Sequence, residues 1–269
     1  MGATMATRGP APMTVGTRLR AVVAFYAVVY RRVWRGSVIG RFLNPLLVVL
    51  SIGFGLGSLV DHSSGGVGGH DYLHFVVPAI IATQAMSVAL GESTYQVMGY
   101  IMWNKMYLAM LATPLSVTDV LAGHLLAVAL HLVFASVLFV GVAACLGAFT
   151  SWWVILAVPA AVLTGLAFAI PIFGYTARLE TDTGFNVLFR FVVTPLMLFS
   201  GTFFPVDQLS PFLRPIAWVT PLWHGVELCR DAAYGQVHGA DLVHAGALLL
   251  FIGLGWVWAR WSFTRRLVV

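Results

Sequence analysis

The chain has 269 residues, 59% of them hydrophobic and only 9% charged, with a mean hydropathy of +0.89. Soluble domains are about a quarter charged, so this composition excludes a soluble globular protein, and its apolar content excludes a disordered one. What remains is an all-α, polytopic membrane protein. Its basic excess, 14 Arg and 1 Lys against 10 acidic residues, then speaks of orientation in a membrane rather than of nucleic acid.

Residues 1–16 read as a disordered tail, and 17–269 as one transmembrane domain. Ala21–Tyr30 is apolar but too short to cross a hydrocarbon core, which takes about 20 residues. It is flanked by Arg18 and Arg20 on one side and Arg31, Arg32 and Arg35 on the other. That pattern predicts an amphipathic helix lying along the interface. No small-residue cleavage site follows it, which argues against a signal peptide. Six spans are predicted at 42–60, 73–97, 120–146, 152–175, 185–204 and 242–261.

With six spans the tails and the 2–3 and 4–5 connections share one side. That side holds 13 of the 15 basic residues, and only Arg214 and Arg230 fall on the other. The bias places both termini in the cytoplasm of a bacterial membrane. The Gly-rich 1–2 loop and the segment from Pro205 to Asp241 are then external. A connection that long carries structure or function of its own.

Ser116 and Asp119 form a capping box that opens the third span, and Pro114 stops the preceding helix. Tyr100–Leu111 is thereby predicted as a short cytoplasmic helix. Pro159, Pro171 and Pro195 are expected to kink spans four and five. His124 and His131, seven apart, share a helix face and suit helix–helix hydrogen bonding better than a metal. His62, His70, Asp71 and His74 cluster in the external loop, where a solvated loop is favoured over a zinc site. Glu92 is the one carboxylate inside a span. It reads as paired or hydrated near the inner mouth of a pathway, since no second intramembrane acid completes a proton relay. Gly53 and Gly57 permit close helix packing, within the subunit or between subunits.

A P-loop requires a Gly-rich turn ending in Gly-Lys-Ser/Thr. The only lysine, Lys105, is followed by Met106, so any ATPase is expected on another chain. No nucleophile–base–acid set can be assembled, and no metal site is expected. The two cysteines, Cys145 and Cys229, read as packing residues.

The stretch Phe199–Gly235, FSGTFFPVDQLSPFLRPIAWVTPLWHGVELCRDAAYG, resembles the membrane subunits of ABC-2 type exporters. Pro221-Leu222-Trp223-His224 followed by Arg230 matches the right half of that family's signature. Ser200–Leu209 is closest to the branch that includes NodJ and the daunorubicin-resistance permease DrrB. The resemblance implies half a transporter, paired with a second permease copy, identical or related. It also implies two copies of an ATPase chain, which bind ATP and Mg. Those chains would dock at Tyr100–Leu111 and the N-terminal helix, through Met102, Lys105, Tyr107, Arg31, Arg32 and Arg35. The segment after the fifth span would fold back as re-entrant helices forming an external gate, with Pro205, Pro221, His224, Glu227 and Arg230. Glu227 and Arg230, at i and i+3, are placed to pair. The implied cargo is amphipathic or hydrophobic: a drug, polyketide, glycolipid or lipo-oligosaccharide. A secondary transporter and a lipid-modifying membrane enzyme remain as alternatives.

Overall fold

The structure, a computed structural model, describes residues 14–57, 62, 66–67 and 71–268, and is helical nearly throughout. The side chains of 33–42, 44–45, 53–54 and 56 also lie outside the description. So do residues 1–13 of the expected tail, most of the 1–2 loop, Gly53 of the close-packing pair and the Arg35 side chain.

The first helix, α1, runs unbroken from Val15 to Leu50 and continues as a π-helical stretch, Ser51–Gly57. The expected interfacial helix and first span are therefore one helix, for no proline interrupts it before Pro45. Its first half does not stand alone. Arg18, Val22, Tyr26 and Tyr30 meet Asp119, Gly123, His124 and His131 in turn, so it runs alongside the third span in the same direction.

Among the described residues, four helices are long and apolar enough to cross a membrane. They are α2 (Tyr72–Trp103), α4 (Val117–Cys145), α5 (Trp152–Thr176) and α9 (Ala240–Leu267). Between α2 and α4 lies the short α3 (Met106–Leu111). The helix α6 (Thr183–Phe199) corresponds to the fifth span but ends at Phe199 and is interrupted by a π-helical turn at Phe189–Val193. Ser200 and Gly201 stop it, the latter with φ +81°. The returning segment then forms α7 (Arg214–Val219) and α8 (Pro221–Tyr234) before α9.

The expected helix Tyr100–Leu111 is two pieces. Gly99–Trp103 is a π-helical extension of α2, and Lys105 adopts a left-handed conformation (φ 48°) that turns the chain into α3. A second break falls at Thr94 (φ −96°, ψ −98°). The Thr176 hydroxyl of α5 donates to the Ser93 carbonyl there at 2.8 Å, a buried acceptor that needs a partner.

Small residues set the packing of the bundle. α5 lies at its centre, against α2, α4, α8 and α9. A Cβ added at Gly174 would lie 3.0 Å from the Ala259 Cα, and one at Gly225 would collide with Thr164. By contrast α9 turns most of its apolar surface outward, with Leu254 64% and Val257 68% exposed, as a lipid-facing helix does. Below, the end of the bundle holding Arg18, Lys105, Arg178 and Arg265 is called the basic end.

Candidate functional site

Polar side chains gather at both ends of the bundle. At the basic end the centre is His124 of α4, which is 1% exposed. Its Nδ1 is 2.7 Å from the Tyr107 hydroxyl of α3. Tyr26 of α1 stacks on the imidazole (centroids 4.2 Å apart, planes 15°), and Phe173 of α5 meets it edge-on at 4.9 Å. Tyr100 at the end of α2 lies 5.7 Å away. Five helices thus share one ring.

Two ion pairs flank this centre. Arg18 lies 2.9 Å from Asp119, whose carboxylate also accepts from the Ser116 backbone and hydroxyl in the expected capping box. Two turns deeper than His124, His131 Nδ1 is 3.0 Å from Glu92. Glu92 is thus paired across α2 and α4, as one of its two expected readings required.

The residues expected at a docking surface divide. Lys105, Arg31 and Arg32 are exposed and Met102 is half-buried. Tyr107, however, is fully buried, so it cannot be a surface contact; it fastens α3 to α4. The apolar side chains that do face outward at this corner are Trp103 (65%) and Leu108 (44%), which the sequence did not single out.

At the opposite end, Thr220 caps α8 and Pro221 occupies its first turn. The helix projects Arg230 inward, 8% exposed. Arg230 donates to Glu227 at 2.9 Å and to the Gly201 carbonyl at 2.8 Å, and its guanidinium lies 4.1 Å from the Phe75 ring centroid. One side chain therefore ties α8 to α2 and to the chain reversal after α6. The positive φ at Gly201 orients the carbonyl-bearing turn that Arg230 grips. Nearby, Tyr72 donates to the Phe203 carbonyl at 3.4 Å. Pro205 opens the 3-10 turn Val206–Gln208, and Arg214 donates to the Asp207 and Leu209 carbonyls.

His224 belongs to a different contact. Its Nδ1 is 2.8 Å from that of His244 on α9, so one ring donates and the other accepts, and both cannot be cationic. Burial holds His224 below its ordinary pKa, and the His244 charge adds to this. Two residues beyond Cys229, Asp231 is pushed up to about 7, first by burial and then by the Asp241 carboxyl beside it. In the 1–2 region His74 lies 3.7 Å from Asp71. Among the described residues no group of three His, Cys, Asp or Glu could hold a metal.

Two outcomes follow from this end. Asp231 is more easily protonated folded than unfolded, so its stabilising contribution is full below its ordinary 3.8 and is lost as pH rises to about 7. Asp231→Asn should therefore melt above wild type by a margin that grows from about pH 4 and levels off above about pH 7, measured by thermal unfolding in detergent. Arg230→Ala should cost about 3–5 kcal/mol, as for breaking a buried pair. Glu227→Ala should cost less, because Arg230 keeps Gly201 and Phe75. A double-mutant cycle on unfolding should be less than additive; equal, additive losses of under 1 kcal/mol would mark a solvated surface pair.

The model of the ABC-2 type transporter family matches residues 17–234. Nodulation protein J of Neorhizobium galegae is 31% identical over 240 residues, covering 88% of this chain and 89% of that protein. Nodulation protein J of Rhizobium leguminosarum bv. viciae is 32% identical over 233 residues, covering 86% and 88%. The inner membrane transport permease YadH of Escherichia coli K12 is 22% identical over 251 residues, covering 90% and 96%. With its family-wide match and its several membrane-capable helices, the chain belongs to the ABC-2 type transporter family, as a multi-pass permease subunit that resembles NodJ.

Proposed function

We propose that the chain is half of an ATP-driven exporter that moves an amphipathic or hydrophobic molecule out of the cytoplasm. A drug, polyketide, glycolipid or lipo-oligosaccharide fits that description. Two copies of a separate ATPase bind ATP and Mg, and a second permease copy, identical or related, completes the pathway. Both termini lie in the cytoplasm, because 13 of 15 basic residues fall on that side.

The observation that carries the reading is the build of α3. A six-residue helix has little stability of its own, yet α3 is pinned by a fully buried Tyr107 while Trp103, Lys105 and Leu108 face outward. A rigid, partly apolar knob at the basic end suits a partner that pushes on it. Arg31 and Arg32 are exposed as well, about 20 Å further along α1 than Arg18 and next to the Tyr30–His131 contact, and Met102 is half-buried at the end of α2. At the far end, α7 and α8 form the external gate, with Pro205 and Pro221 as breaks and His224, Glu227 and Arg230 as closures. Glu92, paired with His131, lies beside the inner part of the pathway.

Orientation is tested with single cysteines in a Cys145→Ser, Cys229→Ser background. A cysteine at Gln208 should react with an impermeant thiol reagent in intact cells, and one at Thr264 should not; labelling at Thr264 would invert the topology. For coupling, Trp103→Ala, Lys105→Ala and Leu108→Ala together should lower transport at least tenfold while membrane insertion stays normal. Full transport by the triple variant would remove α3 from the ATPase contact.

A further inference from the structure

We propose that the basic end of the α5–α9 seam binds an anionic phospholipid of the surrounding membrane. Its phosphate sits among Arg178, Arg265 and Arg266, and an acyl chain lies in the cleft that continues from them.

The seam is closed tightly along its length, with Gly255 against Pro171 and Gly174 against Ala259. Where the two helices end it opens into a cavity of about 160 Å³ lined by Ala177, Arg178, Trp261, Ser262, Arg265 and Arg266. The guanidinium carbons of Arg178 and Arg265 lie 4.8 and 4.4 Å from the Trp261 ring centroid, so the indole holds both. No ion pair among the described residues involves any of the three arginines. The C-terminal ends of α5 and α9 offset part of this charge, but a helix end does not supply the planar acceptor that guanidinium groups bind in pairs.

A second observation points to a ligand. The Ser262 hydroxyl lines the same cavity, is buried with its residue 2% exposed, and has no hydrogen-bond partner among the described residues. A serine inside a helix usually returns its proton to its own backbone. A phosphate oxygen in the cavity would accept it and would neutralise the arginines at the same time.

The shape above the cavity selects a lipid over a soluble anion. An apolar cleft of about 450 Å³ lies between α5, α6 and α9, lined by Phe168, Pro171, Tyr175, Val192, Phe251 and Trp258, among others. Pro171 and Tyr175 are four apart on α5, and Arg178 follows in the turn just beyond its end, where its backbone N–H donates to the Tyr175 carbonyl. Phe251, Trp258 and Arg265 are seven apart on α9. Cleft and cavity therefore lie on one side of the helix pair. From Tyr175 to Phe168 the cleft extends about 10 Å toward the bilayer centre, at 1.5 Å per residue. The Tyr175 hydroxyl is already spent on the Gly184 carbonyl at 3.0 Å, which leaves the cleft without a polar demand. A basic pocket between membrane helices, continued by an apolar groove, matches a headgroup and its chain.

The full-length chain, delipidated in a neutral detergent, is titrated with dioleoyl phosphatidylglycerol, dioleoyl phosphatidylcholine and glycerol 3-phosphate, and bound lipid is read by native mass spectrometry. Phosphatidylglycerol should bind at least tenfold more tightly than phosphatidylcholine. The combined Arg178→Gln, Arg265→Gln and Arg266→Gln variant should abolish that preference, and the corresponding triple Lys variant should retain part of it. Ser262→Ala should weaken phosphatidylglycerol a few-fold and leave phosphatidylcholine unchanged; it decides the matter if the triple Gln variant does not fold. Val192→Trp, which narrows the cleft, should weaken both lipids alike. Equal binding of the two lipids, undiminished preference in the triple Gln variant, or no effect of Ser262→Ala would overturn the site. Displacement of phosphatidylglycerol by equimolar glycerol 3-phosphate would overturn the lipid assignment in favour of a soluble phosphate.

Discussion

The hydrogen bond between His124 and Tyr107 holds the basic end of the molecule together. Both groups are almost completely buried, and a buried hydroxyl or imidazole without a partner would cost about 1–3 kcal/mol. Each therefore fixes the other, and the ring so fixed offers its face to Tyr26 and its side to Phe173. Remove it and Tyr26 of α1 loses its stacking partner and Tyr107 of α3 its hydrogen bond. The flanking pairs, Arg18 with Asp119 and Glu92 with His131, then extend one polar column along α4. In a bilayer such a column is tolerable because every charge on it faces a neighbouring helix rather than lipid.

The opposite end solves the same problem with a different side chain. α8 is a 14-residue helix, too short to span a membrane, and it enters a region where open backbone is expensive. Arg230 satisfies three demands together: the carboxylate of Glu227, the buried carbonyl of Gly201 and the π face of Phe75. α3 and α8 are thus equivalent in design. Each is a short helix that cannot stand in the bilayer alone, and each sets an inward polar residue, Tyr107 or Arg230, against the bundle.

Features that depend on near neighbours in the chain were legible in the sequence. The capping box at Ser116 and Asp119, the start of α8 at Pro221 and the Glu227–Arg230 pair all lie within a few residues of one another, so spacing alone fixes their geometry. The third, fourth and sixth spans were legible because uninterrupted apolar length is itself the signal. Long-range partners were not. Arg18 meets Asp119 across 101 residues and Arg230 meets Gly201 across 29, and nothing in local composition announces either. The burial of Tyr107 was hidden for a related reason: α3 is too short to show a periodic apolar face, so which of its side chains turns inward is set by His124. The unity of α1 was missed because arginines at 31, 32 and 35 look like the edge of a membrane. A helix with no breaker nonetheless continues through them, and its first half finds shelter against α4.

A packed connection between the two anchors runs along α5. Near its basic end Phe173 presses edge-on against His124; nearer the other, Thr164 meets Gly225 with no room for a Cβ, and the Ala157 carbonyl receives the Cys229 thiol at 3.8 Å. Thr164 itself is fixed, its hydroxyl bound to the Ala160 carbonyl at 2.8 Å. Contacts this close do not slide by fractions of an ångström; they keep or change partners as a unit. A displacement of α3 that moves the His124 ring therefore acts on Phe173 and on the helix that bears it. The same helix is in van der Waals contact with α8, ahead of Arg230. Pro171 lies between the two contact regions, where a missing backbone donor makes a helix easiest to bend. Bending there would tilt the Phe173 segment while the Thr164 segment keeps its grip on α8, and the small residues of α9 at Gly255 and Ala259 leave that hinge packed but unobstructed.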